Sequence, residues 1–540
     1  MHLRQVIYCV VLIGVFGMVA KTTPPGWREL WQKFVHALSS LARHKTPCWI
    51  GVGVLVLIIR AALLAVWPIP KPSIYDEFSY LLQADTFAHG HLTNPPHPLW
   101  KFFESPYILQ QPTYASRFPP AQALVMAAGQ VFLGHPWFGV WLSAALLAAS
   151  LCWALQGWLP PGWALLGTFI GLNLCLFSYW MNSYWGGAVT AIGGALVTGA
   201  WVRIMRAKRL GYAWVFGVGA VIVMLARPFE GLLLVAPALI TMVIANRTMR
   251  VCLPIVLTGL AGASWLMYDN YRVTGHALQL PYRQYYQQYE VVPPFSFMPL
   301  STPLPGFRHF AVNELWTRET FDRVRSWHLL VDRPLDWLTM LRYYYGNLIW
   351  LLPLLAFAPS VWRSRRTRFA TILTVLIGVA SLVEMWWYPH YAAPFMAAFL
   401  VLAVQSLRYL AKWKYHGHEV GRFLVGAIPV AVLAVMVASQ AEAIVTHQTS
   451  EWVRLPSAQK GTVEQRLLEK YPGHHVIFVR HTGTQIPSEA WIYNPADIDA
   501  APVIWAWDLG QAENGRLRAY FQGRSFWLFK PDESMSLSRY

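Results

Sequence analysis

Apolar runs long enough to cross a lipid bilayer recur along this 540-residue chain. A helix needs about 20 such residues to span the hydrocarbon layer. Inside that layer every backbone amide must find a partner within its own segment, so runs of this kind fold as helices. They fall at about 5–20, 48–67, 137–157, 161–179, 186–204, 211–226, 231–245, 251–267, 336–358, 369–388, 391–407 and 423–440. The two-residue alternation of membrane barrel strands is absent. Only 13% of residues are charged, against about a quarter in soluble domains. The chain reads as an all-α polytopic membrane protein of about 11–12 transmembrane helices.

The net charge of +17 would suit a nucleic-acid partner if it formed one patch. It does not. Nineteen of the 43 lysines and arginines sit in short clusters at 21–45, 203–209, 247–250, 363–368 and 408–422, with only Glu29 and Glu419 among them, and this accounts for the whole excess. Short basic loops between apolar runs mark the cytoplasmic side. With each cluster placed there, the eleven runs from residue 48 onward alternate without conflict. Segments 68–136 and 268–335 and everything after about 440 then lie outside. The first run, 5–20, fits an extra span with its N-terminus outside, or the apolar part of a signal peptide. The basic stretch after it suits an amphipathic helix on the membrane surface.

The expected organisation is an N-terminal segment, 1–46, a transmembrane domain, 47–440, and an extracytoplasmic α/β domain, 441–540. In that last part "HHVIFVRH", "PVIWAWDLG" and "RSFWLFK" read as strands, with "SAQKGTVEQRLLEKY" and "LGQAENGRLRAYF" as helices. It carries neither a Gly-rich phosphate loop nor a nucleophile elbow. Cys9, Cys48, Cys152, Cys175 and Cys252 all lie in or beside apolar runs without a CxxC motif, as small buried hydrophobes do.

Acids are scarce, yet Asp76 and Glu77 stand together in "KPSIYDEFSYLLQADTFAHG", just where the run 48–67 leaves the bilayer. Pro68, Pro70 and Pro72 end that helix. Ser73 can cap the next one, with Asp76 at its third position, and both acids favour a helix N-terminus. Asp76, Tyr80 and Gln83 then share a face, at i, i+4 and i+7. Arginines near outer helix ends are Arg117, before Pro119 and Pro120, Arg227 in "ARPFEGLL", and Arg272 and Arg283 in "YDNYRVTGHALQLPYRQYYQQYE". Aromatic and polar side chains gather in "SYWMNSYWGGAV", with Asn182, Tyr184 and Trp185, and around Tyr282. His390 lies in "WWYPHYAAPF". Such rings can stack on sugars, or simply form the aromatic belt of an interface. No cluster has metal-ligand spacing.

An acidic pair beyond the first core helix, in an outer loop with its own surface helix, resembles the GT-C membrane glycosyltransferases. The likeness is closest to their protein-mannosyltransferase and aminoarabinose-transferase branch. "RFPPAQALVMAAGQVFLGHPWFGVWLSAAL" is similar to that branch's segment re-entering the bilayer after a double proline. The resemblance covers 48 to about 410. It implies an inverting sugar transfer from a polyprenyl-phosphate sugar to an acceptor hydroxyl on a glycan, lipid or protein; the residues themselves call for no cofactor or metal. The transfer would take place at the outer face of a bacterial inner membrane. Asp76 would be the base, with Glu77 as neighbour or alternate. Arg117, Arg227, Arg272 and Arg283 are the candidates for the donor phosphate, and Tyr80, Gln83, Asn182, Tyr184, Trp185, Tyr282 and His390 for the substrates.

A transporter or flippase would instead place ionisable groups at mid-membrane on broken helices. Glu384 is the one clear acid within a span. A polymerase or ligase of lipid-linked glycans would share the outer arginines, but its catalytic loop need not follow the first core helix.

Overall fold

The computed structural model describes residues 2–22, 25–207, 209–245, 249–307, 311–365, 367–446, 456–481, 490–533, 535 and 537–540. Lys208, Arg247 and Arg366 of the basic loops lie outside them. Among the described residues six helices are long and apolar enough to cross a membrane: Lys45–Leu63, Trp137–Trp158, Ala188–Ala207, Val251–Thr274, Ala393–Leu410 and Val420–Val445. Shorter apolar helices run over Arg4–Met18, Pro161–Leu176, Leu210–Ala226, Pro228–Ile244 and Arg368–Ala380, each on an expected run, and over Ala121–Leu133. The protein is a multi-pass, mostly helical integral membrane protein with a small mixed sheet at its C-terminal end.

Two expectations need correction. The run 336–358 is not one helix. The helix Leu329–Tyr345 stops at Gly346, whose φ of 70° is left-handed, and after Asn347 the chain continues through the short helical segments Leu348–Trp350, Leu351–Ala356 and Ala358–Arg363. Asn347 is buried and its side chain accepts from Ile349 N at 2.9 Å. A non-helical backbone in an apolar run is tolerable where protein surrounds it and satisfies its amides. Mean hydropathy does not register that break. The last helix also runs five residues beyond the expected boundary at 440, to Val445.

Glycines set how closely the spans approach. A Cβ at Gly194 would meet the carbonyl oxygen of Pro394 at 2.0 Å. Small residues of this kind bring membrane helices together where apolar side chains gain nothing over lipid.

Two short strands of the loop 68–136, β1 (Ile108–Leu109) and β2 (Ala115–Ser116), pair antiparallel, and β3 (His475–Val479), β4 (Val503–Trp507), β5 (Ser525–Phe529) and β6 (Leu537–Arg539) form the C-terminal sheet in the order β4-β3-β5-β6. β3 pairs parallel to β4 and β5, and β6 closes the edge antiparallel. The helix Lys460–Lys470 leads into β3, and the helix Gln511–Tyr520 connects β4 to β5. Every residue of β3 and β4 is buried, as in parallel strands covered on both faces. One cover is the loop 68–136 itself. Phe102, Phe103, Ile108 and Tyr114 pack with Val476, Phe478, Ile504 and Leu517. Trp507 Nε1 donates to the Glu104 carbonyl at 2.7 Å, and Tyr114 Oη to that of Asn494 at 2.8 Å.

The same domain braces the helix Tyr75–Ala88 at both ends. Ser457 Oγ donates to the Ser73 carbonyl at 2.6 Å, and Ala496 N donates to Asp85 Oδ2 at 2.8 Å. Between them Phe78 packs on Tyr493, with ring centroids 4.8 Å apart. One face of the acidic helix is thereby fixed to the sheet domain.

Candidate functional site

Asp76 and Glu77 are adjacent in sequence but do different work. The helix Tyr75–Ala88 begins after Ile74, whose backbone is extended, so Glu77 and not Asp76 holds its third position. Glu77 Oε2 reaches back to accept from Ser73 N at 2.8 Å and Ile74 N at 3.3 Å, and its Oε1 accepts from Tyr184 N at 3.1 Å. The cap expected at Ser73 with Asp76 is displaced by one residue, because the Glu77 side chain is long enough to return to those amides. At 2% exposure, Glu77 pins the helix to the 177–187 turn. Burial pushes its carboxyl up to about 7, against the pull of its three backbone donors.

Asp76 is one position earlier, about 100° around the helix, and is half-buried. Among the described residues, its carboxylate has a hydrogen bond only to its own backbone amide. Burial raises it to about 6. The charge of Arg117, and less strongly that of Arg227, pulls it back toward the usual carboxylate range. The loop helix thus turns one acid into scaffold and leaves the other within electrostatic reach of two guanidinium groups.

Those arginines come from separate parts of the chain. Arg117 follows directly on the hairpin whose two-residue strands are β1 (Ile108–Leu109) and β2 (Ala115–Ser116). Its guanidinium lies 3.7 Å over the Tyr107 ring and 4.9–5.3 Å from Tyr285, Tyr282 and Phe118, and it pairs with Glu290 at 2.8 Å. Tyr107 has a φ of 68°, rare for a residue with a side chain. Its carbonyl accepts from Arg117 N at 3.1 Å and Ser79 Oγ at 2.7 Å, which fixes the ring beneath the cation. Arg227 stands between the helices Leu210–Ala226 and Pro228–Ile244, 4.0 Å over Tyr391 and 3.5 Å from Glu230. Both guanidinium groups are held ionised by carboxylate and tyrosine neighbours, despite burial.

Tyrosines join the two centres. Tyr282, on the helix Pro281–Tyr289, senses the charges of Arg117, Arg227 and Asp76 together. Tyr80 stacks on Phe118 at 4.5 Å and senses the same three charges. Gln83 is buried and its Nε2 donates to the Phe118 carbonyl at 3.0 Å. Tyr184 Oη donates to the Pro70 carbonyl at 2.9 Å, and Asn182 Nδ2 to that of Ser178 at 3.0 Å, so both hold the 177–187 turn. His390 Nδ1 bonds Tyr179 Oη at 2.8 Å and its ring lies 4.8 Å from Trp185 and parallel to Tyr388 at 5.7 Å. Arg272 and Arg283 are exposed, Arg272 against Tyr268, and neither joins the cluster. Tyr107, Glu290 and Tyr391 were not singled out from the sequence. No motif surrounds them, and only the fold brings them to the arginines. Among the described residues no group of three or more His, Cys, Asp or Glu is placed to hold a metal ion.

No family model matches the sequence, and no curated protein matches it. Solved structures do match the fold. ArnT from Cupriavidus metallidurans matches at a TM-score of 0.52 and 13% identity, both in the apo state and bound to undecaprenyl phosphate. The matches cover 88% and 90% of this chain, and 92% and 93% of ArnT. The overall fold is therefore similar to that of ArnT. An oligosaccharyltransferase from Archaeoglobus fulgidus, tethered with an acceptor peptide, matches at a TM-score of 0.43 and 11% identity, over 79% of this chain and 61% of its own. In this fold the acidic helix, both arginine centres and the sheet domain gather at the loops 68–136 and 268–335.

Proposed function

We propose that the protein transfers a sugar from a polyprenyl-phosphate donor to an acceptor hydroxyl at the outer face of a cell membrane, with inversion at the anomeric carbon. Donor class is carried over from the undecaprenyl phosphate bound by ArnT, and orientation from the basic loops. The observation that carries the reading is Asp76. Half-buried and without a side-chain partner among the described residues, it lies within electrostatic reach of two arginines that come from separate segments.

The chemistry follows from that arrangement. The acceptor oxygen attacks the anomeric carbon as Asp76 takes its proton. The bond from that carbon to the phosphate oxygen breaks, and its electron pair leaves with the lipid phosphate. Arg117 and Arg227 stabilise the departing anion by charge-assisted hydrogen bonds in a low-dielectric setting. Tyr80 and Tyr282 line the space between base and cations. Glu77 positions the helix and takes no proton from the acceptor. The C-terminal domain, from the end of the last helix onward, lies on the same outer side and holds the back of the helix.

Asp76→Asn tests this reading cleanly, because the cap belongs to Glu77 and stays intact. The variant should melt with the wild type, while transfer from undecaprenyl-phosphate sugars falls about 10²–10⁴-fold, the usual worth of a general base. Near wild-type transfer by a folded Asp76→Asn would exclude Asp76 as the base.

A further inference from the structure

The two arginines carry their counter-ions in different ways. Glu230 is three residues after Arg227, in the first turn of the same helix, and is buried. Glu290 is 173 residues from Arg117 and follows the last residue of the helix Pro281–Tyr289, ahead of the loop segment "VVPP". The side chains of Arg117 and Glu290 keep 15% and 22% exposure. Rings surround the Arg117 guanidinium: Tyr107 at 3.7 Å, with Tyr282, Tyr285 and Phe118 further out. A guanidinium takes oxygen acceptors in its plane, along its edge, and Glu290 already holds an edge position. Arg117 Nε is buried, with no acceptor among the described residues. A phosphate arriving at Arg117 therefore meets a carboxylate in place, and two anions on one cation repel each other.

We propose that Glu290 is a displaceable resident anion. It neutralises Arg117 in the empty site, gives way when the donor phosphate binds, and returns to expel the lipid phosphate after transfer. The exchange rests on the donor reading above. It makes Glu290 a positioning residue that acts through Arg117, not a group that touches the reacting atoms.

The test is undecaprenyl phosphate binding by wild type, Glu290→Gln and Glu290→Asp, together with steady-state transfer. Glu290→Gln keeps the shape and removes the competing charge, so its Kd for undecaprenyl phosphate should fall about tenfold, the scale of one modest charge–charge interaction. Donor KM should fall with it, and kcat should fall because product leaves more slowly. Glu290→Asp keeps the charge but shortens the reach, so it should tighten binding less. The gain should vanish in the Arg117→Met background. A purely structural ion pair predicts the opposite, with weaker binding or none of these changes. Wild-type binding with an equal or higher Kd in Glu290→Gln overturns the exchange alone, as does equal tightening by Gln and Asp. If neither wild type nor Glu290→Gln binds undecaprenyl phosphate, the donor reading has failed and the exchange falls with it.

Discussion

The arginine centre of the first long loop and the one at the join of two spans are built alike and held differently. Each guanidinium lies on a tyrosine ring, at 3.7 Å for Arg117 on Tyr107 and 4.0 Å for Arg227 on Tyr391. Each has one glutamate, at 2.8 Å for Glu290 and 3.5 Å for Glu230. The tight pair spans two loops distant in sequence, and the loose pair is local to one helix turn. Tight pairing at Arg117 means that an incoming anion must break a contact before it makes one. At Arg227 a longer contact leaves more of the cation's hydrogen-bonding capacity for a ligand. Two similar cations can therefore divide the work, one gripping the phosphate and one exchanging for it.

That division predicts unequal losses. Charged hydrogen bonds contribute roughly 1.5–3 kcal/mol, about 10–150-fold in affinity. Arg227→Ala should raise the Kd for undecaprenyl phosphate toward the top of that range. Arg117→Ala should lose less, because Glu290 is no longer displaced at a cost. Equal losses would erase the distinction between the centres, and a larger loss at Arg117 would reverse it.

Acid titration sharpens the comparison from the other direction. Asp76 must be ionised to act as the base, and burial raises its carboxyl to about 6. Transfer should therefore climb as pH rises through about 6. Arg117 pulls Asp76 down more than Arg227 does. Removing either cation raises the carboxyl further, so the acid limb should move to higher pH, and by more in Arg117→Met than in Arg227→Met. The smallest effects belong to Arg272→Ala and Arg283→Ala, both exposed. Their donor Kd should stay within about twofold of wild type, the usual range for surface changes away from a site.

Much of this molecule was legible because the bilayer enforces long apolar runs and leaves charge to the loops. The strands His475–Val479, Val503–Trp507 and Ser525–Phe529 also stood out, as short apolar β-branched and aromatic runs between turn residues. What could not be read depended on single residues or on distant contacts. Gly346 and Asn347 break a run that remains apolar on average. The helix start moved by one residue because Glu77, not Asp76, reaches the free amides. That shift separates the acids into scaffold and candidate base, which their adjacency alone left open. Asp76, Arg117, Arg227 and Tyr282 were visible as chemistry at the loop ends. Glu290 was not, since its partner is 173 residues away and only the fold joins them.

The central claim is that one lipid phosphate sits between the two arginine centres, in front of Asp76. An experimental structure of the full chain with undecaprenyl phosphate tests it most directly. The account predicts phosphate oxygens within hydrogen-bond reach of both Arg117 and Arg227, with Glu290 withdrawn from Arg117 and Glu230 still beside Arg227. A phosphate bound at Arg272 or Arg283, or one touching neither central arginine, would contradict it.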